Sequence, residues 1–139
     1  MKIILKEGTS FVIRFDRGDE VKEGLTHIAK TERIDAGSFS GIGAVSEVIL
    51  NWYDPTIKAY SDRTVSEELE LTSFNGNIST SKGAITVHAH GTFANSKFEA
   101  IGGHVKRMVI SATCEVVLQK LNGKIERRYS EETGLNLMD

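Results

Sequence analysis

The first third of the chain contains two short segments whose apolar residues follow different periods. Residues 11–15 are rich in aromatic and β-branched side chains, which predicts a strand, and Gly18-Asp19 ends it. After Asp19, which is a good helix N-cap, apolar residues recur at the spacing of one helix face: Val21, Leu25, Ile28 and Ala29. Ala36-Gly37 is expected to stop this helix, and His27 falls outside its apolar face. The pattern therefore predicts one amphipathic helix.

Nearly everything after this helix alternates between apolar and polar residues. The predicted strands cover residues 38–53, 68–74, 84–91, 105–119 and 125–129, and Gly41-Ile42-Gly43 interrupts the first as a bulge or a close backbone contact. Asp54-Pro55 indicates a turn, and Asn75-Gly76 and Asn122-Gly123 are typical of hairpin turns. The sequence therefore predicts a single α+β domain over residues 1–139, mainly an antiparallel β-sheet with one principal helix packed on it.

Composition is that of an ordinary globular domain. The chain has 139 residues, of which 40% are hydrophobic and 26% are charged. No apolar stretch is long enough for a membrane span, and the charged N-terminal segment does not resemble a secretory signal, so we expect a cytoplasmic protein. The single cysteine, Cys114, lies in an apolar run, which favours a buried and inert thiol.

Charge argues against a domain that holds nucleic acid through phosphates. Seventeen basic side chains face nineteen acidic ones, a net charge of −2. The basic pairs Lys106-Arg107 and Arg127-Arg128 could contribute to a weak positive surface, but solvated strand edges that discourage aggregation are the favoured interpretation. Trp52 and Tyr53 could stack a base, but two adjacent aromatic residues beside a turn favour packing in the core or across a subunit boundary.

Three histidines carry the most specific chemistry of the sequence. His88 and His90 share one face of a predicted strand, and His104 follows the pair Gly102-Gly103, which allows a close backbone approach. Three neutral imidazoles around an open fourth position suit zinc or another divalent metal, although a His-x-His pair also occurs by chance on surfaces. Counting back from Met108 puts His104 on the apolar face. A metal site therefore requires the strand to start after His104, or a bulge near Gly102-Gly103.

Two carboxylates are candidates for acid or base chemistry at such a site. Glu99 is near in sequence, and Glu115 alternates with Thr113 and Val117 on the polar side of its strand. A metal-bound water needs such a group for hydrolysis. A structural role, in which the carboxylate holds a ligand imidazole or pairs with a base, fits the same positions.

Several segments together resemble the plants-and-prokaryotes conserved (PPC) domain, in its single-domain prokaryotic form. The segments that carry the resemblance are Phe39-Ser-Gly-Ile-Gly-Ala-Val45, His88-Ala-His90, Gly102-Gly-His104-Val105 and Thr113-Cys-Glu-Val-Val117. The resemblance implies an antiparallel sheet flanked by a helix, assembly as a homotrimer, and a metal site on His88, His90 and His104. The chain lacks the AT-hook of the plant proteins, a short Arg-Gly-Arg core within a basic arm, so the resemblance adds no support for direct DNA binding.

These observations leave several functions open. The first is a zinc-binding homotrimer that recognises a small-molecule or protein ligand at its histidine site. The second is a metal-dependent hydrolase that uses zinc-bound water. A DNA-associated regulatory protein is a third, which the charge opposes. A carboxylate beside the open position of the metal, within a cavity that admits substrate, would favour the hydrolase.

Overall fold

The computed structural model describes residues 1–139 as nine strands and one helix. In chain order the elements are β1 (Lys2–Glu7), β2 (Ser10–Asp16), α1 (Val21–Thr31), β3 (Gly37–Asp54), β4 (Ala59–Val65), β5 (Leu69–Ser81), β6 (Ala84–Ala94), β7 (Ala100–Lys120), β8 (Glu126–Ser130) and β9 (Leu135–Met138). The predicted α+β class is confirmed, although β1, β4 and β9 were not predicted. No helix here has the length and apolar character that crossing a membrane requires.

All strands belong to one sheet with the order β1-β2-β7-β3-β5-β8-β9, and β4 pairs with β3. Every pairing is antiparallel except the short one between β5 and β8. The sheet also closes locally, because β6 pairs with both β5 and β7, and both of those strands pair with β3. This ring of four strands has no free edge, and it fixes the strands that carry the three histidines.

The helix buries the residues that its periodicity predicts, but its ends differ from the prediction. Val21, Leu25, Ile28 and Ala29 are buried. The N-cap is Glu20 rather than Asp19, because the Glu20 carboxylate accepts hydrogen bonds from the backbone N–H groups of Glu23 and Met108. The helix ends at Thr31, before Ala36-Gly37, since Arg33 adopts a left-handed φ of 53° and Gly37 already begins β3.

Both predicted Asn-Gly hairpins are wrong. Asn75-Gly76 lies inside β5, where a Cβ atom at Gly76 would lie 2.2 Å from the His88 carbonyl oxygen. The glycine is therefore needed for close strand packing, and the hairpin between β5 and β6 turns at Lys82-Gly83, where both φ angles are positive. Asn122-Gly123 does connect β7 to β8, but these strands do not pair, because β8 pairs with β5 and β9.

The core lies between the helix and the inner face of the sheet. Its largest buried side chains include Phe11, Phe15, Phe74 and Phe93. The predicted close contact at Gly41-Ile42-Gly43 is confirmed, because the β3–β5 register shifts there and a Cβ at Gly43 would lie 2.4 Å from the Thr113 carbonyl oxygen. Cys114 is fully buried, and this burial raises the pKa of its thiol to about 12, so it is inert at neutral pH.

Candidate metal centre

The closed part of the sheet brings the three histidines to one place. His90 and His104 are direct partners across the antiparallel pair of β6 and β7. His88 lies two residues before His90 on β6, so its side chain projects from the same face. Alternation along the sequence predicted that His88 and His90 share a face, and the pairing of β6 with β7 adds His104.

A break in the alternation of β7 explains how His104 reaches this face. Val105 and Met108 are both buried although they are three residues apart, and the two residues between them are exposed. Opposite this segment, consecutive residues Ile49 and Leu50 of β3 pair with Arg107 and Val105, which leaves Lys106 as an extra residue. The expected reset of the alternation therefore exists, but it lies at Lys106 rather than at Gly102-Gly103, and β7 begins before His104, at Ala100.

The three imidazoles form a compact triangle. Their ring centroids are 5.4 Å apart for His88 and His90, 5.0 Å for His88 and His104, and 5.3 Å for His90 and His104. One ligand nitrogen from each ring can be chosen so that all three lie within 4.8 Å of one another. Tetrahedral zinc holds its nitrogen ligands about 3.3 Å apart, given zinc–nitrogen distances of about 2.0–2.1 Å. The three nitrogens therefore lie near the spacing that such an ion requires, and imidazole nitrogens are among the donors that it prefers.

The surroundings favour the neutral form of two of these rings. Burial is the main cause that lowers the pKa of His104 to about 4, and the positive charges that His88, Lys22 and His90 can carry add to it. Burial also lowers the pKa of His88, with Arg127 as the next largest cause. A neutral imidazole has the free lone pair that a metal needs, so at neutral pH the site requires little proton displacement.

A cavity of about 670 Å³ opens above the histidines. Its walls come from α1, β3, β4, β6, β7 and the C-terminal β8–β9 hairpin. The polar and aromatic side chains that line it, besides the three histidines, are Lys22, Asn51, Trp52, Tyr53, Tyr60, Thr86, Arg127 and Asn136. No aspartate or glutamate is among its lining residues.

Neither predicted acid–base candidate lies at this cavity. Glu99 is in the turn between β6 and β7, where its carboxylate accepts a hydrogen bond from the Asn95 side chain at 2.9 Å. Glu115 is exposed on the outer face of the sheet, opposite Arg14 on β2 and Ile42 on β3. The structure therefore brings the three histidines together without either carboxylate.

The cavity contains residues that the sequence did not single out as site residues. The Tyr60 ring on β4 packs at a tilt against His104, with ring centroids 5.8 Å apart, and Tyr53 packs at a tilt against Tyr60 at 4.9 Å. Lys22 enters from the first turn of α1. Of the two expected placements of Trp52 and Tyr53, packing in the core is wrong, because Trp52 is 64% exposed and both line the cavity. Packing across a subunit boundary stays a prediction. A regular spacing could not reveal these residues, since they come from separate elements.

His27 and three of the four residues of the basic pairs lie outside the histidine cavity, and the fourth, Arg127, lines it. His27 is exposed on α1, as predicted, and is not among the grouped imidazoles. Lys106 pairs with Asp62 at 2.5 Å, and Arg107 pairs with Glu47. Arg128 pairs with Asp139 at 2.9 Å. Each of these three basic side chains therefore has an acidic partner.

Comparison with known proteins agrees with this architecture. The model of the family described as the Plants and Prokaryotes Conserved (PCC) domain matches residues 4–122. A metal-containing protein from Archaeoglobus fulgidus is 31% identical, with a TM-score of 0.88 over 99% of both chains. A protein from Bacteroides thetaiotaomicron described as a "putative DNA binding protein" is also 31% identical, with a TM-score of 0.94 over 97% of this chain and 94% of that chain.

A third similar structure carries the family name itself. It is a plant- and prokaryote-conserved (PPC) protein from Pyrococcus horikoshii, 29% identical with a TM-score of 0.89, covering 95% of this chain and 92% of that chain. No curated protein matches this chain.

Proposed function

We propose that this chain, which belongs to the Plants and Prokaryotes Conserved (PCC) domain family, is a metal-binding protein that holds a zinc-type divalent ion on His88, His90 and His104. The observation that carries the proposal is the convergence of three imidazole donors within 4.8 Å from two paired strands. The similar metal-containing protein from Archaeoglobus fulgidus supports it. When bound, the ion would offer an open coordination position toward the cavity.

Elemental analysis of protein purified without a histidine tag tests this proposal. We expect about one divalent ion per chain in the parent and much less in His88→Ala, because three protein ligands are needed to hold the ion tightly. His27→Ala is the matched control, since it removes the exposed histidine outside the triangle and should keep the parent's metal content. Equal metal in the His88 and His27 variants would refute the proposed ligand set.

The cavity favours binding over the hydrolytic alternative. A zinc-bound water becomes an effective nucleophile when a neighbouring group takes or supplies a proton, and carboxylates are common in that role. Glu99 and Glu115 both lie elsewhere, and the cavity lining holds no other carboxylate. We therefore propose recognition of a small ligand at the metal as the activity of this site. Duplex DNA is a poor candidate for that ligand, given the net charge of −2 and the paired basic residues.

We also propose that the chain assembles as a homotrimer. The outer face of the sheet exposes apolar side chains, with Ile42 59% and Val117 53% exposed, and β7 places Val117 beside Ser40 of β3. Contact between subunits would remove this apolar surface from water. Light scattering coupled to size exclusion should give a mass of three 15.3 kDa chains, and a monomer mass at all concentrations would contradict the proposal.

A further inference from the structure

The charge of the histidine cavity is unusual for this chain. The sequence has more acidic than basic residues, yet the cavity is lined by two cations, Lys22 and Arg127, and by no carboxylate. Neither Lys22 nor Arg127 forms an ion pair, since no carboxylate oxygen lies within 4.0 Å of either side chain. Two uncompensated positive charges in a partly desolvated cavity favour an anion.

Arg127 is held in position by neutral partners. Its Nε donates to Ser79 Oγ at 2.8 Å, its Nη2 donates to Asn77 Oδ1 at 2.9 Å, and its Nη1 donates to the Asn136 carbonyl oxygen at 3.0 Å. These bonds use three of the five guanidinium N–H groups and leave the positive charge unpaired. The same Nη2 lies 3.4 Å from His88 Nδ1, so the guanidinium lies directly beside the histidine triangle.

Lys22 reaches the cavity from helix α1. Its Nζ donates to the Val105 carbonyl oxygen at 2.9 Å, which holds the ammonium next to the segment that carries His104. One hydrogen bond leaves two of its N–H groups free to donate. The helix and the C-terminal hairpin therefore each contribute one fixed cation to the cavity.

The C-terminal hairpin that carries Arg127 is hydrogen-bonded to the hairpin between β3 and β4. The Tyr53 hydroxyl donates to the Thr133 carbonyl oxygen at 2.5 Å, and Lys58 Nζ donates to the Glu131 carbonyl oxygen at 2.6 Å. This hairpin lies beyond residue 122, where the match to the family model ends. Its wall includes Leu135 and Leu137, so apolar and aromatic surface lies beside the two cations.

From this arrangement we propose that the cavity binds a small carboxylate with a flat apolar body. Arg127 and Lys22 donate to its oxygens beside the three histidines, and the tyrosine wall packs against its body. The N–H groups that remain free on Arg127, together with the two on Lys22, can each donate a charge-assisted hydrogen bond to a carboxylate oxygen. The proposal rests on the proposed metal site for a further positive charge, but both cations are fixed by contacts within the chain itself.

Titration calorimetry with benzoate and its neutral analogue benzamide tests the proposal on the protein as purified, with its metal content measured in parallel. We expect benzoate to bind about tenfold or more tightly than benzamide, because only the carboxylate pairs with the cations. Arg127→Gln and Lys22→Met should each weaken benzoate binding about tenfold and leave benzamide binding unchanged. Arg128→Gln is the matched control, since Arg128 is 74% exposed and pairs with Asp139.

Loss of Arg127 could loosen the C-terminal hairpin, and Lys22→Met keeps the experiment decisive in that case. The hydrogen bond of Lys22 goes to Val105 on β7 and not to that hairpin. Equal binding of benzoate and benzamide, or benzoate binding that survives both substitutions, would overturn the proposal. Tighter binding of inorganic phosphate than of benzoate would overturn the carboxylate assignment. Benzoate binding that depends on Arg127 in protein without metal would keep this inference and refute the proposed metal function. Protein that contains the metal but binds benzoate no more tightly than benzamide would keep the proposed metal function and refute this inference.

Discussion

Gly76→Ala couples the stability of the sheet directly to the geometry of the histidines. A Cβ atom at this position would lie 2.2 Å from the His88 carbonyl oxygen and 2.4 Å from Cζ of Phe39. Ordinary contacts begin at 3.4 Å, so a neighbour must move by about 1 Å. Phe39 cannot yield easily, because it is buried and packs on Phe74 with ring centroids 5.2 Å apart. The strain therefore falls on the β6 segment that carries His88.

Overpacking of this kind costs about 2–3 kcal/mol of unfolding free energy. For a domain of this size, such a loss lowers the Tm by about 7–10 °C. We expect this decrease in metal-free protein, where bound metal cannot mask it, and we expect weaker metal binding because His88 moves. Circular dichroism melting at one protein concentration measures the first effect, and competition with a chelator measures the second.

Gly103→Ala is the matched control for this experiment. A Cβ at Gly103 would lie 3.5 Å from the Asn51 carbonyl oxygen and 3.9 Å from Leu50 Cβ, which are ordinary contacts. This variant should melt within about 2 °C of the parent, although it neighbours His104. The same Tm for Gly76→Ala and the parent, or an equal lowering of the Tm in both variants, would refute this reasoning. Close packing of β5 against His88 would then not be the reason for glycine at position 76.

Two further predictions concern titratable groups. The pKa of His104 is about 4 in the folded chain and about 6.5 in the unfolded chain. Between these pH values the unfolded chain binds more protons, so metal-free protein should lose stability as the pH falls from about 6.5 to about 4. His104→Asn should reduce that loss by about 2 kcal/mol when urea unfolding at pH 7 is compared with urea unfolding at pH 4. An unchanged loss would contradict a half-buried neutral imidazole at this position. Cys114 should resist a disulfide-exchange reagent in folded protein and react once in denaturant, because burial raises its thiol pKa to about 12. Rapid labelling of folded protein would count against this burial.

The histidine triangle could be predicted in part from the sequence, because two of its members lie two residues apart in one strand and therefore share a face. His88 and His90 must share a face if the segment is extended, and β6 confirms that it is. His104 needed an irregularity whose position alternation alone could not locate. The extra residue is Lys106, and it is visible only in the pairing of β7 with β3.

Other features depend on which strands become neighbours. Asn75-Gly76 has the composition of a turn, but the glycine is needed where β5 packs closely against Phe39 and His88. Arg127 resembles a solvated residue in the sequence, yet the β5–β8 pairing places its side chain against Asn77 and Ser79. Glu115 lies on the polar side of its strand as predicted, but this is the outer face of the sheet, away from the histidines.

The central claim is that one nitrogen from each of three histidines binds the same ion. The most direct measurement is a crystal structure of tag-free protein with anomalous data recorded on both sides of the zinc absorption edge. The account predicts one strong anomalous peak at about 2.0–2.1 Å from a nitrogen of His88, His90 and His104. A map without a peak among these rings in protein supplied with zinc, or a peak coordinated elsewhere, would contradict it.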